Sequence, residues 1–271
     1  MEFPDEMREF LNNIGFYEKI KDLKPEDWQD NDDNPKCDSC PGLVRCPTKG
    51  YLITHEEIDG RIYQVYAKCP KLKMFEIQLR YSRNIRTSGL PKAYMNKTFD
   101  NFDASLNEKA IERIKEYLKN KEWRRGYGLF ITGSVGCGKT HIASAIVHEL
   151  AKENIYTLFV VVPDFLDEIR SSYYEDDEDY YDRENPFDLA KQSTVLVLDD
   201  LGTEKITEWA REKLLQLINY RMNYQLATII TSNLSMSDIS ERLGERIHSR
   251  LKAMCEEIKI VGKDRRGQER G

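Results

Sequence analysis

Hydrophobic and polar positions fall into two regimes along the chain. Near the amino terminus, Met7, Phe10, Leu11, Ile14 and Phe16 recur close to helical spacing and predict an amphipathic stretch. Residues 30–35 (DNDDNP) read as a loop, and RIYQVYA at 61–67 alternates as a short strand entered through Asp59–Gly60. Gly89-Leu90-Pro91 marks the end of a helix and the start of a linker. From about residue 98 the regime changes. Short runs rich in apolar residues at 127–132, 156–162, 194–199, 227–232 and 256–262 predict strands, and their apolar character suits burial on both faces. Helical stretches are expected between them at 106–121, 139–152, from an N-cap at Asp164, at 207–222 and at 237–253. That alternation predicts an α/β fold with a mostly parallel sheet flanked by helices. The acidic, tyrosine-rich segment 173–184 reads as a flexible insertion.

Composition narrows the picture. The chain has 271 residues, 40% apolar and 32% charged, enough for one large domain or a medium one with a small companion. Its 41 Lys and Arg against 47 Asp and Glu give a net charge of −6, which excludes a uniformly basic nucleic-acid binder. The charge is unevenly spread. Between residues 61 and 97, Arg61, Lys68, Lys71, Lys73, Arg80, Arg83, Arg86, Lys92 and Lys97 face only Glu76. Tyr63, Tyr66, Phe75, Tyr81 and Tyr94 are interleaved with them. This mixture suits single-stranded DNA, by phosphate contact and stacking, and equally a solvated helix facing an acidic partner. No run approaches the roughly 18 apolar residues of a membrane span, and the acidic amino terminus lacks a signal-peptide core, so a cytoplasmic protein is expected.

The chemistry begins at Gly133-Ser134-Val135-Gly136-Cys137-Gly138-Lys139-Thr140-His141, which contains the full G-x-x-x-x-G-K-[ST] pattern between an apolar strand and a helix. Glycines let backbone N–H groups curl around phosphates, and the helix that follows presents its positive end to them. Lys139 is expected to reach the β/γ-phosphates and Thr140 to ligate Mg²⁺. Val195–Leu198 leads directly into Asp199 and Asp200, which puts two carboxylates at the ligand-binding edge of the sheet. Asp199 is the expected Mg²⁺ partner, and Asp200 is placed to orient the attacking water. Asn233 ends a strand after Thr231 and Ser232, as a contact to the water or γ-phosphate or as a cap. Arg246 and Arg250, four apart, share one helix face.

Taken together, GSVGCGKTH, VLVLDDLG, TEWAREKLLQLINYRM, IITSN and LGERIHSRL resemble the AAA+ ATPases of the DnaC/DnaI class, which load the bacterial replicative helicase. The likeness covers about residues 95–266, and DDLGTEKITEWAREKLLQLINYRM leans to the DnaI side of the class. It implies a P-loop AAA+ core with a five-stranded parallel sheet and a small N-terminal zinc domain. Lys139 and Thr140 then match the Walker A pair, Asp199 and Asp200 the Walker B pair, and Asn233 sensor 1. Arg250 matches the arginine finger, and Arg266 in GKDRRG stands for sensor 2. Thr98–Phe102 matches the segment that borders the adenine. The implied layout is a helicase-docking zinc domain at 1–80, a basic linker at 81–97 and the ATPase at 98–271. The implied partners are the helicase hexamer, single-stranded DNA and further copies of the chain, with no membrane. The implied activity is a slow, partner-stimulated hydrolysis of ATP. Relatives of the IstB kind, which assist a transposase, are the rival reading.

Cys37, Cys40, Cys46 and Cys69 cluster in a chain without a signal peptide, which reads as metal binding rather than disulfides. Four thiolates are what a closed structural zinc site needs, and His55 is the substitute for Cys46. A segment of this size has too little core to fold alone. Protein purified without added zinc is therefore expected to carry one zinc per chain by elemental analysis; finding none refutes the site.

Overall fold

The computed structural model describes residues 51–58, 60–172, 185–203, 207–262 and 264. The chain divides into two compact units, residues 1–82 and 83–271. The expected N-terminal helix, Cys37, Cys40, Cys46, the acidic insertion, Arg265 and Arg266 lie outside the described residues.

In the first unit, β1 (Tyr51–Ile58) and β2 (Arg61–Lys68) form an antiparallel hairpin, with Tyr51 opposite Lys68 and Ile58 opposite Arg61. The sequence signalled only β2, because THEE interrupts the apolar pattern of its partner. Helix α1 (Pro70–Thr87) follows and stops just before Ser88 and Gly89. Its exposed side chains include Lys73, Arg80, Arg83 and Arg86. Glu76, the one acid of the basic stretch, pairs with Lys68 at 2.8 Å. Cys69 is buried just ahead of α1, and its Sγ accepts the Leu72 N–H at 3.3 Å.

The second unit contains a five-stranded sheet. Its strands are β3 (Gly128–Gly133), β4 (Thr157–Val161), β5 (Val195–Asp199), β6 (Ala227–Ser232) and β7 (Cys255–Ile260). Their order across the sheet is β4-β5-β6-β3-β7, and every neighbouring pair is parallel. The expected runs fall on these strands, with β5 and β6 buried at every position, whereas the edge strand β7 exposes Glu256, Glu257 and Lys259 and is not buried on both faces. Alternation sends Phe130, Leu196, Leu198 and Ile230 into one core. Helices α4 (Val162–Ser171), α5 (Pro186–Gln192), α6 (Glu208–Asn223), α7 (Met236–Leu243) and α8 (Glu245–Met254) cover that face. Before them in the chain, α2 (Glu108–Lys119) and α3 (Lys139–Lys152) form, and α3 packs against β3, β4, β5 and β6.

One boundary departs from the sequence reading. Helix α4 starts at Val162 without a side-chain cap, ahead of the expected Asp164, because Pro163 sits comfortably in a first helical turn. The helical segments expected at 237–253 are two helices parted at Gly244, whose φ of 96° a β-carbon would oppose. No described helix is long and apolar enough to cross a membrane.

One buried cation ties the lower edge of this unit together. Arg221 of α6 is completely buried. It donates to Ala190 O at 2.8 Å, Ser193 O at 2.9 Å, Ala227 O at 2.6 Å and Thr228 Oγ1 at 2.9 Å. These acceptors gather the carbonyl end of α5 and the starts of β5 and β6, where partial negative charge favours a cation. Burial lowers its pKa to about 9, so it remains charged at neutral pH. Arg221→Met is expected to cost about 3 kcal/mol or more, because several buried carbonyls lose their donor. Urea unfolding of the full chain measures this as a lower midpoint.

Candidate active site

The strand order decides which side chains meet. Because β6 lies between β5 and β3, the residues ending these three strands converge at one sheet edge. The phosphate-loop motif leaves β3 and enters α3. Gly136 and Gly138 have φ of 74° and 103°, left-handed values that bend the loop and that side-chain-bearing residues avoid. A β-carbon on Gly138 would also stand 2.8 Å from the Phe102 ring. Cys137 is fully buried beneath the loop, consistent with a packing role.

Lys139 opens α3, and its ammonium uses all three donors on one spot. Nζ donates to Gly133 O at 3.0 Å, Ser134 O at 2.9 Å and Asn233 Oδ1 at 2.6 Å. Asn233 is thereby brought to the loop, as its place after β6 suggested. One residue on, Thr140 Oγ1 donates to Asp199 Oδ2 at 3.2 Å. The other carboxylate oxygen, Asp199 Oδ1, accepts from Thr231 Oγ1 at 2.6 Å. Asp199 is 3% exposed, and burial raises its pKa to about 6. The hydrogen bond from Thr231 opposes the rise, and the nearby Asp200 charge adds to it. Asp200 lines the cleft in left-handed backbone, with φ of 60°.

The opposite wall comes from the segment ahead of α2. Tyr94, Lys97, Asn101 and Phe102 line the cleft together with the loop and His141. This strap is fastened to α3 by Ser144, whose Oγ lies 2.7 Å from Tyr94 O and 2.9 Å from Lys97 O. His141 Nε2 lies 2.9 Å from Thr98 O and 3.0 Å from Asn101 Oδ1, both acceptors, so Nε2 carries the proton. The Phe102 ring meets His141 edge-on at 5.2 Å.

Arg250 stands apart from this cluster. On α8 it donates to Asn219 Oδ1 and, at 2.8 Å, to Arg246 O, and it does not line the cleft. Thr231 is the contributor that the sequence pattern hid, since a β-branched residue inside ATIITS reads as strand filler.

The donor set suits a phosphate with a hard divalent cation. The loop offers a backbone cradle with a lysine at its centre. Thr140 and Asp199 offer adjacent oxygens, the ligand type Mg²⁺ prefers. Among the described residues, no group of three or more His, Cys, Asp or Glu side chains is placed to hold a metal.

A sequence profile described as "IstB-like ATP binding protein" matches residues 73–271. The "Replicative helicase loader DnaI" of Bacillus subtilis (strain 168) is 26% identical over 272 residues, covering 94% of this chain and 82% of that protein. The crystal structure of the DnaC helicase loader superposes with a TM-score of 0.56 at 31% identity, over 63% of this chain and all of that one. The crystal structure of DnaI gives 0.55 at 29% identity, over 65% of this chain and 94% of that one. The AAA+-like fold implied by the motifs is therefore the fold observed.

Asp199 also sets a pH dependence of stability. Its folded pKa lies above the unfolded value, so the folded chain holds the extra proton between pH of about 4 and 6, and stability falls as pH rises through that window. Without nucleotide or magnesium, Asp199→Asn is expected to be more stable than wild type at pH 7.5, by at most about 3 kcal/mol. The difference should vanish near pH 4. Denaturant titrations at both pH values measure it.

Proposed function

The chain belongs to the IstB-like ATP binding protein family, and we propose that within it this protein is an ATP-dependent loader of the replicative DNA helicase. The observation that carries the reading is the convergence of Lys139, Thr140, Asp199 and Asn233 at one sheet edge. The likeness to DnaI along nearly the whole chain supports the choice of partner.

In this reading Gly133–His141 holds the ATP phosphates, with Lys139 exchanging loop carbonyls for phosphate oxygens. Thr140 and Asp199 hold Mg²⁺, which neutralises phosphate charge when bound. Asp200 orients the attacking water, and Asn233 contacts that water or the γ-phosphate. The strap from Tyr94 to Phe102 walls the base. Arg250 of one copy serves the cleft of a neighbouring copy, and Arg266 contacts the chain's own nucleotide as sensor 2. Asp200 is one methylene shorter than a glutamate, so its reach to water is short and hydrolysis is slow until a partner adjusts the site. The unit ahead of the ATPase, folded around zinc on Cys37, Cys40, Cys46 and Cys69, docks on the helicase hexamer. The basic stretch 61–97 follows single-stranded DNA.

Size-exclusion chromatography of the full chain with its cognate replicative helicase, with and without ATP, tests the reading. A shared peak that responds to ATP is expected. Lys139→Ala should abolish ATP binding, and Asp200→Asn should keep binding while hydrolysis falls about 100-fold. Absence of a helicase complex, with a transposase recovered instead, would transfer the protein to the rival IstB-like role.

A further inference from the structure

We propose that Thr231 is a positioning residue that aims Asp199 and fixes the backbone of Asp200 through one hydroxyl. The inference rests on the reading of Asp199 as the carboxylate that meets Mg²⁺.

Thr231 is the penultimate residue of β6 and is completely buried. Its Oγ1 makes two bonds of fixed direction. The Asp200 N–H donates to it at 2.9 Å, so the single hydroxyl proton goes to Asp199 Oδ1 at 2.6 Å. With Oδ1 engaged on the β6 side, Oδ2 is the oxygen turned to Thr140 Oγ1, where the metal belongs. A carboxylate without the Thr231 bond could rotate and offer either oxygen in either direction. The second bond acts on the main chain. Asp200 occupies left-handed backbone, a conformation that non-glycine residues avoid. Its N–H is held by Thr231 Oγ1, and the next N–H, of Leu201, donates to Thr231 O at 2.9 Å. The hydroxyl and the carbonyl of one residue thus clamp the turn that sets the direction of Asp200.

Packing alone does not call for this hydroxyl. Valine has the same shape, and its neighbours Ile229 and Ile230 are fully buried apolar residues of the same strand. Valine would fill the site and leave Asp199 Oδ1 and the Asp200 N–H without their partner. Partners that orient a metal-binding carboxylate govern metal affinity, not the phosphate contacts made elsewhere in the loop.

The experiment measures binding of a fluorescent ATP analogue to the full chain by anisotropy, in EDTA and across a Mg²⁺ titration. Thr231→Val is expected to bind like wild type in EDTA but to need about tenfold more Mg²⁺ for half-maximal enhancement. Thr231→Ser, which keeps the hydroxyl, should follow the wild-type titration. A merely structural threonine would alter Tm without moving the Mg²⁺ midpoint, and a Val variant that titrates like wild type overturns the proposal. Should Thr231→Val fail to fold by circular dichroism, Thr231→Ala is measured and judged in the same way. Failure of the parent reading has another signature: wild type itself then shows no Mg²⁺-dependent binding of the analogue, which overturns both.

Discussion

One carboxylate, Asp199, is held almost wholly out of water at the end of β5, and much of the second unit is arranged around it. Asp199 pays in desolvation for its place at the end of a central strand, as its raised pKa shows. Two hydroxyls offset part of that cost, one from the helix after the phosphate loop and one from the adjacent strand. Neither could reach it unless β6 lay beside β5 and α3 started beside both. The same neighbours bring Asn233 to Lys139, so the cation of the loop and the anion of the acidic strand share one hydrogen-bonded layer. A divalent cation entering that layer would relieve the buried charge, and on that account the site would favour a phosphate ligand that arrives with its metal.

How much of this was legible in the sequence depends on the range of the interaction. Glycine positions, the lysine and the apolar runs are local signals, and each strand from β3 to β7 fell within a residue or two of its expected place. The role of Thr231 depends on which strand lies beside which, and parallel strands joined by crossovers carry no register in their own pattern. Asn233 could be chosen because it closes a strand where a polar side chain can reach the phosphate loop, whereas a threonine inside a strand is ordinary. Hairpin β1 was half visible for a related reason. Its polar centre, THEE, hides the alternation that pairing with β2 imposes.

The strap from Ser88 to Phe102 shows how a segment without long elements becomes part of a site. Ser88 O accepts the Phe159 N–H at 2.6 Å, so the strap begins by pairing with the outer strand β4. Ser144 then fastens its middle to α3, and His141 fastens its end. The last two anchors are polar side chains of α3 meeting backbone or amide oxygens, and α3 is the helix that opens with Lys139. A shift of the phosphate loop and a shift of the cleft's far wall are therefore mechanically linked. A ligand that bridges phosphate and base positions would draw on both at once.

In the role proposed for it, Arg250 would mark where one chain stops being sufficient. Its guanidinium is tied to Asn219 and to the Arg246 carbonyl, off the cleft that its own chain forms. Charge stabilisation in phosphoryl transfer works at contact distance, so an arginine held in that place has no action on its own phosphates. If it acts as an arginine finger, the phosphates must be a neighbour's, and the catalytic centre exists only between copies. The short reach of Asp200 points the same way. A lone chain would then hold every group needed to bind ATP and lack those needed to spend it quickly. Such a division suits a protein whose nucleotide is a timer for assembly and release, with the hydrolytic step tied to arrival of the next subunit or of the partner that arranges them.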